Sequence, residues 1–472
     1  MSRVVAVSNR VSVPRRGAAP GGLTVGLMAA MKSRGGLWFG WSGETDDSTT
    51  SAVKVVRRGG VTFATVDFTA QELQLYYQGF CNGTLWPLFH YFLGDFRYVD
   101  EQFDAYMALN QRFARELVRQ LQPDDVVWVH DYHLLPLGQQ LRQAGSDHPI
   151  GLFLHIPFPQ LESLRALPVY DELLCAMLEY DLVGFQTDRD LKAFLTAVEH
   201  LWGPGAITPD GEIRVGAHRV RTGCFPIGVD VDAIQGEAVK AATGEACRRL
   251  VHGMLGRRLI MGVDRLDYSK GLCERFRAYE RFLETHPDSL NRVSFIQIAP
   301  LSRSDVQAYA AIRRDLEQTA GRINGRFADT DWTPIRYLNK NFPHDVLMAF
   351  MRNAPVGLVT PLRDGMNLVA KEFVAAQDPE DPGVLILSTL AGAALELPAA
   401  LLVNPYDRNG MAEALQQALQ MPLVERRDRH ASMIEALRRN DIGAWHGRFL
   451  DSLREAAHAR QRGTGTLRTD AA

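Results

Sequence analysis

Several kinds of chemistry are missing from this chain, and their absence narrows it first. Its five cysteines (81, 175, 224, 247, 273) are odd in number, far apart and without a CxxC pair. That excludes a disulfide framework or a thiolate metal knuckle and suits free thiols, expected to be buried, in a reducing cytoplasm. No GxGxxG dinucleotide loop, no GxxxxGK[ST] phosphate loop and no GxSxG nucleophile elbow occurs. Charge of one sign is not in excess: the net charge is −3 with Lys and Arg scattered, which gives no argument for nucleic acid or an anionic membrane, and neither is expected as a partner. Long apolar runs are lacking too. The N-terminus has an apolar run of only four residues before Ser8, too short for a signal-peptide core, and the most apolar stretch, VLILSTLAGAAL (384–395), ends at Glu396, short of a membrane span.

What is present is a long globular composition, 472 residues with 46% hydrophobic and 23% charged, so two domains are expected. Short apolar runs alternate with helical periodicity. VVAV (4–7), VVWV (126–129), IGLFLHI (150–156) and LVGFQ (182–186) read as strands. Helices are expected at about 23–32, 103–121, 134–143, 162–180 and 188–201. Residues 37–100 are less periodic and aromatic-rich, read as core or edge packing, and 203–222 as an irregular or hairpin insertion. FPIGVD (225–230) reads as the last strand of the first half. The alternation restarts with RLIMGV (258–263), VSFIQIA (293–299), IRYL (335–338), VGLV (356–359), VLIL (384–387) and LLV (401–403). Strand–helix alternation implies parallel, helix-covered sheets. The expected fold is α/β, with two Rossmann-like doubly wound domains facing each other across a cleft. They are placed at 1–228 and 229–445, with a C-terminal helix returning to the first domain and a disordered polar tail in 446–472.

The most informative stretch is DGMNLVAKE (364–372), which follows VGLV and opens a helix. The free N–H groups and positive dipole end of such a helix form an anion site. Gly365 lets backbone approach a ligand, and Asp364 and Glu372 bring carboxylates to the same mouth. The pattern is equally that of an ordinary strand–loop–helix with Asp as N-cap. Arg265 and Lys270, in DRLDYSKG (264–271), stand beyond another strand; a guanidinium fork and a point charge suit a diphosphate. Arg303 follows the next strand. Surface charge is the competing reading of these cations. His130, Asp131 and His133 (HDYH) and His155 (HIPFP) also follow strands. The histidines lack the HExxH pattern or a nearby carboxylate or thiolate cluster, and no DxD accompanies them, so diphosphate neutralisation by Arg, Lys and a helix end is preferred to a metal.

Taken in order, SNR (8–10), GGL (21–23), LWFGWSGE (37–44), LWPLFHY (85–91), HDYHLLP, HIPFP, RLDYSKG, QIAP-x-SR, GRINGR, PLRDGMNLVAKE and VNPYDR closely resemble the trehalose-6-phosphate synthases, from residue 8 to about 445. This resemblance implies a metal-independent retaining glycosyltransferase without a cofactor. It would move glucose from a nucleotide-glucose, UDP-glucose by preference, to glucose 6-phosphate. It implies that Glu372 holds the nucleotide ribose, with Gly365, Met366, Asn367, Leu368, Val369, Ala370 and Lys371 lining the nucleotide and diphosphate site. Asp364 would be the first acid of the transferase pair, Arg265 and Lys270 the diphosphate clamp, Phe342 the neighbour of the base, and Gly21 and Gly22 a closure onto the donor. Arg10, Tyr77, Asp131 and Arg303 would hold glucose 6-phosphate, His155 would contact the donor sugar, and Trp86 and Ile156 would shape the acceptor pocket. The resemblance also implies a homo-oligomer, a tetramer. Asp264, where Glu is common, and the loop after Arg10 depart from the family pattern. The alternatives are a sister transferase with another donor or acceptor, such as a glucosylglycerol-phosphate synthase, and a catalytically silent sugar-phosphate sensor.

Overall fold

A computed structural model describes residues 2–13, 27, 28, 31, 35–48, 52–301 and 307–469. The chain forms two compact units. One runs through Ile227 and is rejoined by Gly443–Ala472; the other contains Gly228–Ile442.

The first unit is a nine-stranded sheet. Its strands are β1 (Val4–Arg10), β2 (Leu37–Thr45), β3 (Lys54–Arg58), β4 (Val61–Phe68), β5 (Val126–His130), β6 (Ile150–Phe153), β7 (Leu182–Phe185), β8 (Ile213–Val215) and β9 (His218–Cys224). Their order is β3-β4-β2-β1-β5-β6-β7-β9-β8, and only the edge strands β3 and β8 run antiparallel to their neighbours. Central strands such as β5 are buried along their whole length, as a parallel sheet covered on both faces requires. Strand order reverses between β1 and β5, and in open α/β sheets ligands bind beyond the carboxyl ends at that point. Arg10 ends β1 and Asp131 follows β5.

The second unit is a six-stranded, wholly parallel sheet: β10 (Arg258–Val263), β11 (Val293–Ile298), β12 (Ile335–Leu338), β13 (Val356–Val359), β14 (Val384–Ser388) and β15 (Leu401–Val403). The order β12-β11-β10-β13-β14-β15 is that of a dinucleotide-type doubly wound sheet. Its helices pack in two groups: Val231–Ala242 with His344–Arg352 and Leu368–Ala376, and Leu272–Thr285 with Gln307–Phe327 and Arg408–Gln420. The reversal point falls between β10 and β13, which brings residues 264–271 and 360–367 together.

All six strands expected in the second half are present. The first half differs in places. Residues 37–68, read only as packing, supply β2 to β4: β2 and β4 bury most of their residues in the sheet, while β3 is an exposed edge strand. The stretch 225–230 is not a strand; the final parallel strand is β9, the second arm of the 213–224 hairpin, which pairs with β7. The expected helix at 162–180 is interrupted between Leu161–Leu164 and Tyr170–Met177, where Pro168 removes a donor and restricts Leu167. The expected helix at 23–32 lies mostly outside the described residues. The tail read as disordered is helical through Thr469, and Arg460 anchors it by pairing with Asp181 at 2.8 Å and donating to the Asp147 carbonyl at 2.8 Å. The cysteines are free as expected. Cys81, Cys247 and Cys273 are buried, but Cys175 lies exposed on a helix and Cys224 is half-buried at the end of a strand. Among the described residues no helix is long and apolar enough to cross a membrane.

Candidate active site

In the second unit, two loops are laced together at the strand reversal. The Ser269 carbonyl accepts from the N–H groups of Leu362 (2.8 Å) and Arg363 (3.3 Å), while Ser269 itself is held by Asp267. Gly271 sits at φ +64, and a Cβ there would lie 2.5 Å from the Thr360 carbonyl, so only glycine allows the loops this close. The lacing puts Lys270 Nζ 2.5 Å from Asp364 Oδ2. Asp364 also accepts from Asn367 Nδ2 at 3.0 Å.

Asn367 caps the helix Leu368–Ala376: its Oδ1 accepts from the Ala370 N–H at 3.0 Å, and its own backbone lies at φ +84. A non-glycine residue in that region is strained, and strain persists where surrounding contacts over-determine it. Those contacts come from the loop after β14. Leu390 O accepts from Asp364 N (3.2 Å), Gly392 N donates to Asp364 O (3.2 Å) and Ala393 N to Met366 O (2.8 Å). The result is a helix start with Leu368 and Val369 half-buried, Arg265 exposed and Lys270 beside it. A capped helix start with a lysine beside it is the arrangement that binds anions.

Two further expected residues behave differently from one another. Lys371 is wholly buried and its Nζ is ion-paired with Glu396 Oε1 at 2.6 Å. Its side chain is thereby committed to bracing the helix against the loop that carries Glu396. Glu372 pairs with His344 Nε2 at 3.6 Å, and His344 Nδ1 bonds Glu237 Oε2 at 2.7 Å. Phe342, two residues before His344, packs edge-on against Phe350 with Lys340 over its ring.

The Glu372 carboxylate, aided by Glu237 and opposed by burial, raises the His344 pKa to about 9. Its unfolded value is near 6.5. Because the folded value is the higher, the stabilising contribution is fully present below about pH 6.5 and is lost as pH rises through about 9. His344→Gln should therefore be destabilised relative to wild type at pH 6 and much less so at pH 9.5, read from denaturant midpoints. An equal gap at both values would mean that the imidazole is neutral throughout.

Sequence reasoning missed Arg275. It is fully buried and binds Asp264 (2.7 Å), Gln297 (2.8 Å), Thr360 (3.1 Å) and the Lys270 carbonyl (3.3 Å), joining the ends of β10, β11 and β13. The signal was there: Arg275 lies on the apolar stripe of its helix with Leu272, Tyr279 and Phe282.

In the first unit, Arg10 lies over the Trp41 ring at 5.7 Å, and the Tyr77 ring packs on the same tryptophan at 5.6 Å. Gly43, at φ +93, leaves the room the guanidinium occupies. Tyr77 rides on a π-helical stretch, Leu73–Leu85, that also delivers Trp86. The stretch is tied down by Tyr76 Oη donating to Asn9 Oδ1 (2.8 Å) and Tyr132 Oη to Asn82 Oδ1 (3.0 Å). Long π-turns are rare and concentrate at functional sites.

Asp131 has φ +76 and ψ 169, a conformation suited to glycine, and its Oδ1 accepts the His155 N–H at 3.2 Å. Ile156 is buried next to it, and Trp86 lies against Tyr132. The structure thus brings Arg10 and Tyr77 together around Trp41, and Asp131 and His155 together beside them. Gly21, Gly22 and Arg303 lie outside the described residues. Among the described residues no cluster of three or more His, Cys, Asp or Glu side chains is arranged to hold a metal.

Two doubly wound sheets, one with a lysine–aspartate pair and a capped helix start at its strand reversal and the other with a cation–aromatic–carboxylate group at its own, are the build of the two-Rossmann class of glycosyltransferases. The chain belongs to glycosyltransferase family 20, whose sequence pattern it matches over residues 9–455. It is 48% identical over 459 residues to a trehalose-6-phosphate synthase of Escherichia coli O1:K1 / APEC, covering 96% of each chain. The crystal structure of a UDP-forming alpha,alpha-trehalose-phosphate synthase from Burkholderia xenovorans in complex with glucose-6-phosphate superposes with a TM-score of 0.93 at 50% identity, covering 96% of this chain and 100% of that one. An E. coli structure bound with UDP-2-fluoro glucose gives 0.91 at 47% identity, with 96% and 99% covered.

Proposed function

We propose that the protein transfers glucose from UDP-glucose to glucose 6-phosphate with retention, yielding α,α-trehalose 6-phosphate and UDP, and that it does so in the cytoplasm. The observation that carries this reading is the pairing of Lys270 with Asp364 at the start of the capped helix, in a chain about half identical to relatives whose complexes contain glucose-6-phosphate or UDP-2-fluoro glucose.

On this reading the second unit holds the donor. Arg265, Lys270 and the helix N-terminus receive the diphosphate, whose negative charge grows as the glycosidic bond breaks. Groups fixed to meet that charge lower the barrier more than they tighten the ground state. Asp364 binds the donor glucose, Glu372 the ribose and Phe342 the neighbourhood of the base; Gly21 and Gly22 close on the donor. Lys371 contributes its backbone, with its side chain spent on Glu396. In the first unit Arg10, Tyr77 and Asp131 take glucose 6-phosphate, joined by Arg303, while Trp86 and Ile156 shape the pocket and His155 contacts the donor sugar. The acceptor attacks from the face the diphosphate leaves, and a departing phosphate oxygen takes its proton.

The charge on the diphosphate is met by Arg, Lys and a helix end, so turnover is expected to survive exhaustive chelation. Loss in EDTA restored only by Mg²⁺ or Mn²⁺ would refute that part. The whole reading is tested by nucleotide release from UDP-, ADP- and GDP-glucose with glucose 6-phosphate or glycerol 3-phosphate. Release only with UDP-glucose and glucose 6-phosphate is expected. Preference for another pair identifies a sister transferase, and binding without release a sensor.

A further inference from the structure

Behind His155 lies a second histidine to which the proposed chemistry gives no task. His130, the last residue of β5, is 1% exposed, and its Nδ1 lies 3.1 Å from His155 Nε2. Its other nitrogen, Nε2, is enclosed and has no hydrogen-bond partner among the described residues; the His130 ring packs beside Trp128 and Trp445, with ring centroids 4.5 and 6.4 Å away. The His155 backbone is fixed independently, through its N–H to Asp131.

We propose that His130 is a positioning residue that donates from Nδ1 to His155 Nε2, so that His155 turns an Nδ1–H donor towards the donor sugar and offers no base there. The proposal rests on the reading that His155 contacts that sugar. The short contact needs one proton between the two rings, and the surroundings decide which ring supplies it. If His155 donated, His130 would carry its own proton on Nε2, an enclosed donor without an acceptor. If His130 donates, Nε2 is left as a bare acceptor. Buried orphan N–H groups are rarer and costlier than under-used acceptors, and an aromatic ring is a second-order substitute for a true acceptor. Both rings stay neutral, because burial depresses the pKa of each and proximity depresses that of His130 further. With Nε2 of His155 accepting, its proton must lie on Nδ1, the nitrogen left for ligand.

Two-bond proton–nitrogen correlation spectra of ¹⁵N-histidine-labelled full-length protein at pH 7.5 test this without any change to His130. His155 is assigned by the signal lost in His155→Gln. A neutral ring with a protonated Nδ1 and a bare Nε2 is expected; the opposite tautomer, or a charged ring, overturns the proposal. Two variants then separate positioning from packing. His130→Asn keeps a side-chain N–H donor, whereas His130→Phe keeps ring bulk only. The phenylalanine variant should lose about tenfold in kcat and its His155 should populate the other tautomer, while the asparagine variant stays within about threefold of wild type. Equal losses in both, with the His155 tautomer unchanged, would reduce His130 to packing and sink the proposal. If His155→Gln turns over like wild type, the assignment of His155 to the donor sugar fails, whatever the tautomer proves to be.

Discussion

Lys270→Ala is expected to lower kcat by about two to three orders of magnitude, with a smaller rise in the donor KM. The ammonium sits at the end of a chain of fixed groups: buried Arg275 holds the Lys270 carbonyl, Ser269 is tied to the 360–363 loop, and Asp364 holds Nζ at 2.5 Å. A cation that does not have to reorganise meets the leaving diphosphate when its charge is greatest, so its removal is felt in the transition state. The Lys270–Asp364 pair is largely buried and Asp364 keeps its bond from Asn367, so a lowered thermal midpoint is expected and is measured beside the kinetics, at a temperature where the variant stays folded. Steady-state kinetics with UDP-glucose and glucose 6-phosphate decide the matter. A raised donor KM at unchanged kcat would mean that Lys270 binds ground and transition states alike, and the electrostatic account would fail.

The second unit was more legible in the sequence than the first, for a physical reason. Strands buried on both faces, such as Val356–Val359, read as uninterrupted apolar runs set between amphipathic helices, and six of six were recognisable. Strands β2 and β4 are buried over most of their length but carry Trp, Gly, Ser and Thr, so their pattern was hidden among aromatics. The hairpin ending in β9 was legible as a hairpin but not as a sheet member. Its Arg219, His218 and Arg221 give an edge-like polarity, and pairing with β7 is a long-range fact that no local pattern encodes.

The candidate site divides the same way. Arg265, Lys270, Asp131 and the 364–372 stretch declared themselves as polar residues just past apolar runs. Their supports did not. Arg275 and Glu237 act from inside two helices, and their side-chain partners lie 11 to 107 residues away along the chain. Lys371 is a different case. The motif resemblance puts it in the donor stretch, while its side chain is buried and paired with Glu396, a partner 25 residues away that the motif does not announce.

Asp131→Gly is expected to be more stable than Asp131→Ala, the reverse of the usual order. At φ +76 and ψ 169 a side chain is strained, at a cost of about 1–3 kcal/mol that glycine escapes and alanine keeps. Both variants lose the bond from the His155 N–H, so that term cancels between them. Glycine's greater freedom in the unfolded chain offsets about 0.5–1 kcal/mol, which leaves glycine ahead by up to about 2 kcal/mol. Activity should follow another order. Under the proposed function the carboxylate accepts from a glucose 6-phosphate hydroxyl, a charge-assisted bond contributing about 1.5–3 kcal/mol. Both variants should therefore lose about one to two orders of magnitude in kcat/KM for glucose 6-phosphate, while the KM for UDP-glucose changes little. The fold would thus hold a strained carboxylate in place for binding, at some expense of stability. Chemical denaturation of both variants, set beside acceptor kinetics, tests the two halves separately. Alanine proving the more stable would show that no strain is stored at Asp131, and a glycine variant with wild-type kcat/KM would remove its carboxylate from acceptor binding.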